Sequence, residues 1–157
     1  MNTQFRKGLG FGLTSGIITT LGLIVGLDAS TGSKFVVVSG IIAIAIADSC
    51  SDALGMHISE ESTYNRTTAQ IWEATISTFL FKLSFALLFV IPFLLLEIQT
   101  ALLICIIAGY LIVSGYSYYL AAKTKQKAYK VMLEHVLIMT AVIAITYFVG
   151  KATAMFL

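Results

Sequence analysis

Five long runs of apolar residues constrain the fold of this chain more than any other feature. Each run is close to the ~20 residues that a helix needs to cross the hydrocarbon core of a bilayer. The apolar residues come in blocks without an amphipathic rhythm, which is typical of membrane spans. The five runs cover about residues 8–27, 35–58, 73–96, 101–122 and 131–150.

The composition agrees with a membrane protein. Of the 157 residues, 58% are hydrophobic and only 11% are charged, whereas a soluble domain usually carries about a quarter charged residues. The net charge of +2 is small, and no basic patch is interleaved with aromatics, which argues against a nucleic-acid partner. We expect an all-α protein, a single domain of five transmembrane helices over residues 1–157 that is surrounded by lipid.

The chain carries few signs of enzyme chemistry. Cys50 and Cys105 lie inside predicted spans and form no CxxC pair, so we interpret them as packing residues. The two histidines, His57 and His135, lie near span ends, and neither HExxH nor GxSxG occurs. We predict that the protein is not an enzyme.

Lysine and arginine predict the orientation in the membrane, because they are enriched on the cytoplasmic side. One side would carry seven of them and the other only two, which places the N-terminus and the polar link 59–72 in the cytoplasm and the C-terminus outside it. The seven are Arg6, Lys7, Arg66, Lys123, Lys125, Lys127 and Lys130, and the two are Lys34 and Lys151.

The second span contains two acidic residues, Asp48 and Asp52. Carboxylates inside a membrane are costly and usually functional, and a spacing of four places both on one helix face. Met56 and Glu60 continue the same stripe, and carboxylate with thioether suits a borderline divalent ion such as Fe(II) or Mn(II). The alternative is a structural pair that is hydrogen-bonded to hydroxyls such as those of Ser15 or Ser49.

Lys82 is the remaining charge within a span. Asp52 lies six residues before Ile58, and Lys82 lies seven residues after Thr75, so both are predicted at a depth of ~9 Å or slightly more. Lys82 is therefore a candidate partner for Asp52 or Asp48, and a desolvated lysine can exchange its proton readily. Alternatively, it extends to the interface or binds a carbonyl.

Further polar residues follow where the second span would meet water. Glu60 and Glu61 are predicted to collect cations on the cytoplasmic side, together with Glu73 at the start of the third span. Glu73 has the alternative role of stabilising a helix N-terminus. His57 is interpreted as an interfacial ligand, as a proton acceptor near neutral pH, or as a polar residue among the headgroups.

The first span contains two small-xxx-small pairs, Gly12 with Gly16 and Gly22 with Gly26. Such pairs allow close approach of helix backbones. Five spans cannot form two equal halves, so a homodimer is the natural way to enclose a transport path. Packing of these glycines within one subunit is the alternative.

Two segments carry a resemblance to a known family. GLTSGIITTLGLIVGL, residues 12–27, and SDALGMHISEES, residues 51–62, resemble the first two spans of the vacuolar iron transporter family. The resemblance implies a five-span homodimer that exports Fe(II) and Mn(II) from the cytosol in exchange for protons. It also implies an ion path between the subunits, lined by spans one and two.

The chain departs from the family pattern at several positions. The family's span-one aspartate falls on Ser15, its span-two methionine falls on Asp52, and an acidic residue two turns earlier falls on Ile44. The family's cytoplasmic metal-binding helices are reduced to the link 59–72. The resemblance therefore implies that Ser15 and Asp52 face each other at the constriction.

The resulting hypothesis is divalent metal export by proton antiport, with no permanent cofactor. Asp48, Asp52 and Met56, helped by Ser15, would bind the ion in the membrane, and Lys82 and His57 would serve proton coupling. Two alternatives stay open: a proton-coupled transporter of another substrate, and a non-transporting scaffold with a structural Asp–Lys pair.

Overall fold

The computed structural model describes residues 3–156, and the regular structure of that part is entirely helical. Five helices or helix pairs are long and apolar enough to cross a membrane. The expected all-α class is thereby confirmed, and the five apolar helices that could span a membrane indicate an integral membrane protein. The bounds are α1 (Thr3–Thr31), α2 (Lys34–Glu61), α3 (Thr68–Leu88), α4 (Val90–Leu95), α5 (Ile98–Thr124) and α6 (Ala128–Phe156), with α3 and α4 forming one span.

Successive spans run antiparallel, so that the start of one span lies at the same end of the bundle as the end of the next span. Lys7 near the start of α1 contacts Glu60 near the end of α2, and the Lys34 ammonium at the start of α2 donates to the Leu96 carbonyl at 2.8 Å. We call the end that contains the link between α2 and α3 and the loop between α5 and α6 the basic end. It carries the seven lysines and arginines that predicted the orientation.

Helix α1 is the central element of the bundle. Its aliphatic residues Ile17, Leu21 and Ile24 are fully buried, and it packs against α2, α3, α5 and α6. Helix α6 lies at the periphery, because most of its residues are exposed in the isolated chain. A site that uses side chains from several helices is therefore expected to include α1.

Both glycine pairs of α1 pack within the subunit. A Cβ at Gly12 would lie 2.8 Å from the Thr78 carbonyl oxygen, and Gly16 is similarly close to α3, while Gly22 and Gly26 lie against α6. The structure thus shows the alternative interpretation, in which these glycines pack within one subunit. They bring α1 close to α3 and α6, and they give no support for a homodimer.

The turn between α1 and α2 contains only two residues. Gly32 takes a left-handed conformation, with φ of +57°, that other residues adopt at a cost. Its N–H donates to the Asp28 carbonyl at 2.9 Å. The Ser33 hydroxyl then caps α2 by accepting from the Val36 N–H at 3.4 Å.

The third span is interrupted at Phe89. Pro92 predicts such a break, because it lacks the N–H that would bond to the carbonyl four residues earlier. At the break, the Phe89 N–H donates to the Ala86 carbonyl, three residues earlier, at 3.2 Å, which makes a tighter turn than an α-helix. The Cys105 thiol of α5 lies 3.7 Å from the Phe89 carbonyl oxygen, within range of a weak hydrogen bond.

The link predicted over 59–72 is mostly helical, since only residues 62–67 lie outside α2 and α3. Thr67 and Gln70 form a capping box at the start of α3. The predicted role of Glu73 at the helix N-terminus is therefore wrong, because Glu73 lies in the second turn and Thr67 is the cap.

Candidate functional site

A buried lysine in α3 lies at the centre of the candidate site. Lys82 is only 1% exposed, and its ammonium lies 2.5 Å from a carboxylate oxygen of Asp48. The same ammonium contacts and donates to Asp52. The expected pairing of Lys82 with the acidic residues of span two is confirmed, and it involves both aspartates at once.

Ser15 of α1 completes the cluster. Its hydroxyl donates to the Asp52 oxygen Oδ2 at 2.8 Å, and it accepts from the Lys82 ammonium at 2.9 Å. Three helices thus meet in a continuous network of charged and polar groups, which we call the Asp–Lys–Asp cluster: Ser15, Asp48, Asp52 and Lys82. A buried charge of this kind is stable only when its partners are held in place.

The local sequence explains why these groups meet. The spacing of four residues places Asp48 and Asp52 on one face of α2, one turn apart. Gly16, the neighbour of Ser15, lets α1 approach so closely that a Cβ there would be 3.0 Å from the Lys82 carbonyl oxygen. Close packing of α1 on α3 therefore brings the serine hydroxyl to the lysine.

The charges of the cluster do not balance. Two carboxylates face one ammonium, and within residues 3–156 no second lysine or arginine pairs with Asp48 or Asp52. With all three groups ionised the cluster carries one excess negative charge, which one proton or one additional positive charge would neutralise. The aspartate side chains are 24% and 22% exposed, compared with 2% for Lys82, so the carboxylates form the accessible rim.

Glu60 belongs to a different cluster. It is only 3% exposed, and it lies 2.6 Å from the Lys7 ammonium and 3.0 Å from Nε of Arg66. The predicted stripe from Asp52 to Glu60 is thus divided between two ionic groups at different depths. This pairing was not predicted from the sequence, although Lys7 and Arg66 both lie at the same end of the bundle as Glu60.

The remaining predicted cation ligands do not join the Asp–Lys–Asp cluster through any contact that the structure records. Met56 is half-buried between the two ionic groups, Glu61 is exposed, and Glu73 lies half-buried on α3. Among residues 3–156, no three His, Cys, Asp or Glu side chains come close enough together to hold a metal ion. A metal site at the Asp–Lys–Asp cluster would therefore combine the two aspartates with neutral oxygen ligands.

His57 lies beside α3, apart from the aspartates. Its Nδ1 is 3.0 Å from the Thr75 hydroxyl, and its ring meets the Trp72 ring edge-on with centroids 4.9 Å apart. The Thr75 hydroxyl also lies 2.8 Å from the Ile71 carbonyl oxygen, so its one proton serves either the carbonyl or His57 Nδ1, according to the tautomer of the imidazole. The structure records no contact of His57 with the acidic residues of α2.

A second histidine has an analogous partner. His135 of α6 lies with Nδ1 2.7 Å from the Ser117 hydroxyl of α5, which itself donates to the Val113 carbonyl at 2.6 Å. The contact joins two outer helices near the basic end. It was not predicted, because a hydroxyl and an imidazole eighteen positions apart carry no sequence signal of contact.

Comparison of the chain with models of protein families, with curated proteins and with solved structures finds no match.

Proposed function

We propose that the protein is an ion-coupled membrane transporter whose coupling site is the Asp–Lys–Asp cluster. The observation that carries the proposal is a lysine, 1% exposed, that contacts two carboxylates on another membrane-spanning helix. Ionisable groups inside a membrane are expensive and typically mark ion or proton pathways. Partial exposure of both carboxylates supports access for an ion.

In this proposal Lys82 acts as a tethered internal cation. It neutralises one carboxylate whenever no other cation occupies the site, and an incoming divalent cation competes with it for Asp48 and Asp52. The Ser15 hydroxyl supplies a neutral oxygen. Protonation of the carboxylates on the far side releases the cargo, so that cargo and protons move in opposite directions.

The cargo that we propose is Fe²⁺ or Mn²⁺, moved out of the cytoplasm. This choice rests on the resemblance of spans one and two and on the oxygen and thioether groups along α2. Glu61 and Glu73 attract the cation at the basic end, and Glu60 contributes when it exchanges Lys7 for the cargo. Met56 lies on the route from Glu60 to Asp52.

We propose that two copies of the chain enclose the path. Carboxylates that are about a quarter exposed at this depth require a polar or protein covering, because lipid cannot solvate them. They flank a row of small exposed residues, spaced by four, along α2, which permits close approach of a second α2. The row consists of Ser39, Ala43, Ala47, Ser51 and Gly55.

The proposed orientation places the basic end in the cytoplasm, because seven lysines and arginines lie there and two at the opposite end. The N-terminus is then cytoplasmic and the C-terminus is outside. Cargo consequently enters between the starts of α1 and α3 and the end of α2.

The proposal is tested by metal flux in proteoliposomes. Asp52→Asn keeps the shape of the side chain but removes a charge, and we expect it to abolish Mn²⁺ transport while the protein remains folded. Glu97→Gln, a change of the same kind at an exposed loop position, serves as the matched control and should transport normally. Wild-type rates in Asp52→Asn would exclude the central role of Asp52.

One observation favours a second candidate, a proton-coupled transporter of another substrate. The ammonium of Lys82 already contacts both carboxylates, so a single proton is sufficient to change the charge of the cluster. Proton flux that is driven by Mn²⁺ or Fe²⁺ supports metal antiport. Proton flux that is indifferent to both metals supports the other candidate. If Asp48→Asn, Asp52→Asn and Lys82→Met together leave cellular function intact, the cluster is only structural.

A further inference from the structure

Two adjoining cavities form a crevice on the side of the bundle away from the aspartates. The upper cavity has a volume of about 390 Å³ and lies at the basic end, with Arg6 and Lys7 of α1 in its lining. The lower cavity, of about 360 Å³, extends toward the membrane interior between α1, α5 and α6. Both are lined by Gly10, Tyr116 and Leu120, so they are continuous.

The two halves of the crevice differ in chemistry. The upper half carries the charged groups of Arg6 and Lys7, while the lower half is mostly apolar and includes Phe11, Ile18 and Ile138. Tyr116 lies where the halves meet, and a Cβ at Gly10 would be 2.4 Å from its hydroxyl oxygen. Glycine at position 10 thus permits a tyrosine hydroxyl to sit against α1 at this junction.

The charge of the upper half is positive overall. Lys7 shares the single carboxylate of Glu60 with Arg66, so the three groups together carry one excess positive charge. Arg6 is exposed, and it is not a partner of Glu60, Asp48 or Asp52 in the ion pairs of the described residues. An anionic group would therefore be attracted to the mouth of the crevice.

We propose that this crevice binds an anionic phospholipid. The headgroup phosphate contacts Arg6, Lys7 and the Tyr116 hydroxyl, and one acyl chain lies in the apolar half. The assignment rests on the coincidence of a cationic mouth and an apolar groove at the depth where a span meets the headgroups. Basic residues at the membrane surface attract anionic lipid, and tyrosine is enriched at the interface.

The position of the crevice gives the lipid a consequence for the fold. The site joins α1, which contains Ser15, to the outer helices α5 and α6. A bound lipid would hold the start of α1 against α5, and so it would stabilise the surface on which Lys82 and α3 pack. This site does not depend on the proposed transport function.

The test measures lipid retention by native mass spectrometry of the purified full chain from mixed micelles that contain phosphatidylglycerol and phosphatidylcholine. We expect wild type to retain phosphatidylglycerol preferentially. We expect Arg6→Gln to retain it about fivefold less well, since one basic residue near an anionic surface contributes about that factor. Lys125→Gln, which removes a charge from an exposed position at the same end but outside the crevice, should change retention little.

Three outcomes would overturn the proposal. Equal retention of the two lipids removes the anionic preference. Equal losses in Arg6→Gln and Lys125→Gln indicate diffuse surface charge. Competition by soluble glycerol 3-phosphate as effective as that by the lipid shows that the apolar half is not used. Size-exclusion profiles establish that each variant is folded. Ile18→Phe narrows the apolar half of the crevice, and it should weaken retention of phosphatidylglycerol without any change of charge.

Discussion

At the residue scale, Lys82 is the charge on which the other groups of the site depend. Its ammonium contacts both aspartates, and no other lysine or arginine within residues 3–156 pairs with either of them. Its presence distinguishes a site with one excess negative charge from a site with two. A divalent cation binds at such a site only if the Lys82 ammonium moves away from the carboxylates, or if protons leave the cluster and make its net charge more negative.

Removal of Lys82 alone should destabilise the protein strongly. Lys82→Met leaves two carboxylates that are 24% and 22% exposed without their counter-ion, and breaking a buried pair costs up to about 3–5 kcal/mol. We expect unfolding at a lower concentration of denaturing detergent. The variant that combines Lys82→Met with Asp48→Asn and Asp52→Asn should regain most of the loss, because no uncompensated charge remains.

Lys151→Met at an exposed position is the control for the loss of a lysine and should be close to wild type. A combined variant that is no more stable than Lys82→Met would contradict the electrostatic explanation.

At the element scale, the glycines of α1 determine how closely α3 approaches. Gly12 faces the backbone of α3, and Gly16 lies beside Lys82. The position of the Ser15 hydroxyl therefore depends on the close approach of the α1 backbone to α3 at these two glycines. Helix packing by small residues is common in membranes. Here it also places polar groups within hydrogen-bonding distance.

Gly12→Ala should therefore weaken the packing of α1 on α3. Its Cβ would lie 2.8–2.9 Å from backbone atoms of Thr78 and Lys82, which cannot move independently, and overpacking typically costs about 1–3 kcal/mol. Gly115→Ala has open space around the added methyl and should be neutral or stabilising by up to ~1 kcal/mol. Thermal unfolding of both variants measures the difference, and equal stabilities would count against the close contact.

At the scale of the whole molecule, α2 combines the rim of the site with the row of small residues proposed to contact a second copy. The glycines of α1 pack within the subunit, which leaves the row on α2 as the surface proposed for dimer contact. Cys50 lies beside the row and is exposed, whereas Cys105 is buried. The two cysteines therefore report differently on association.

A short bis-maleimide should cross-link the protein in membranes into a dimer through Cys50. Cys50→Ser should abolish the cross-link, while Cys105→Ala should retain it. Ala47→Phe places a bulky ring in the row and should reduce the cross-linked fraction, because the two helices could no longer approach closely. Undiminished cross-linking in Ala47→Phe would place the interface on another face.

The sequence predicts the fold of this chain well, because lipid allows few structures for long apolar blocks. The depth of Lys82 and Asp52 likewise predicts their contact, since both lie a similar distance inside their spans. The contact of Glu60 with Lys7 was not predictable in the same way, because it depends on how the start of α1 meets the end of α2. The start of α3 was predictable from Thr67 and Gln70, but the capping pattern was overlooked.

The two-residue turn at Gly32 and Ser33 has a mechanical consequence. It joins α1 to α2 through the backbone at one end, whereas at the other end side-chain contacts such as that of Lys7 with Glu60 hold the two helices together. Asp52 lies eighteen residues along α2 from Lys34, a lever arm of ~27 Å. Rotation of about 5° at the turn would displace Asp52 by ~2 Å over that arm. That distance is enough to separate its carboxylate from Ser15 while the turn itself barely moves.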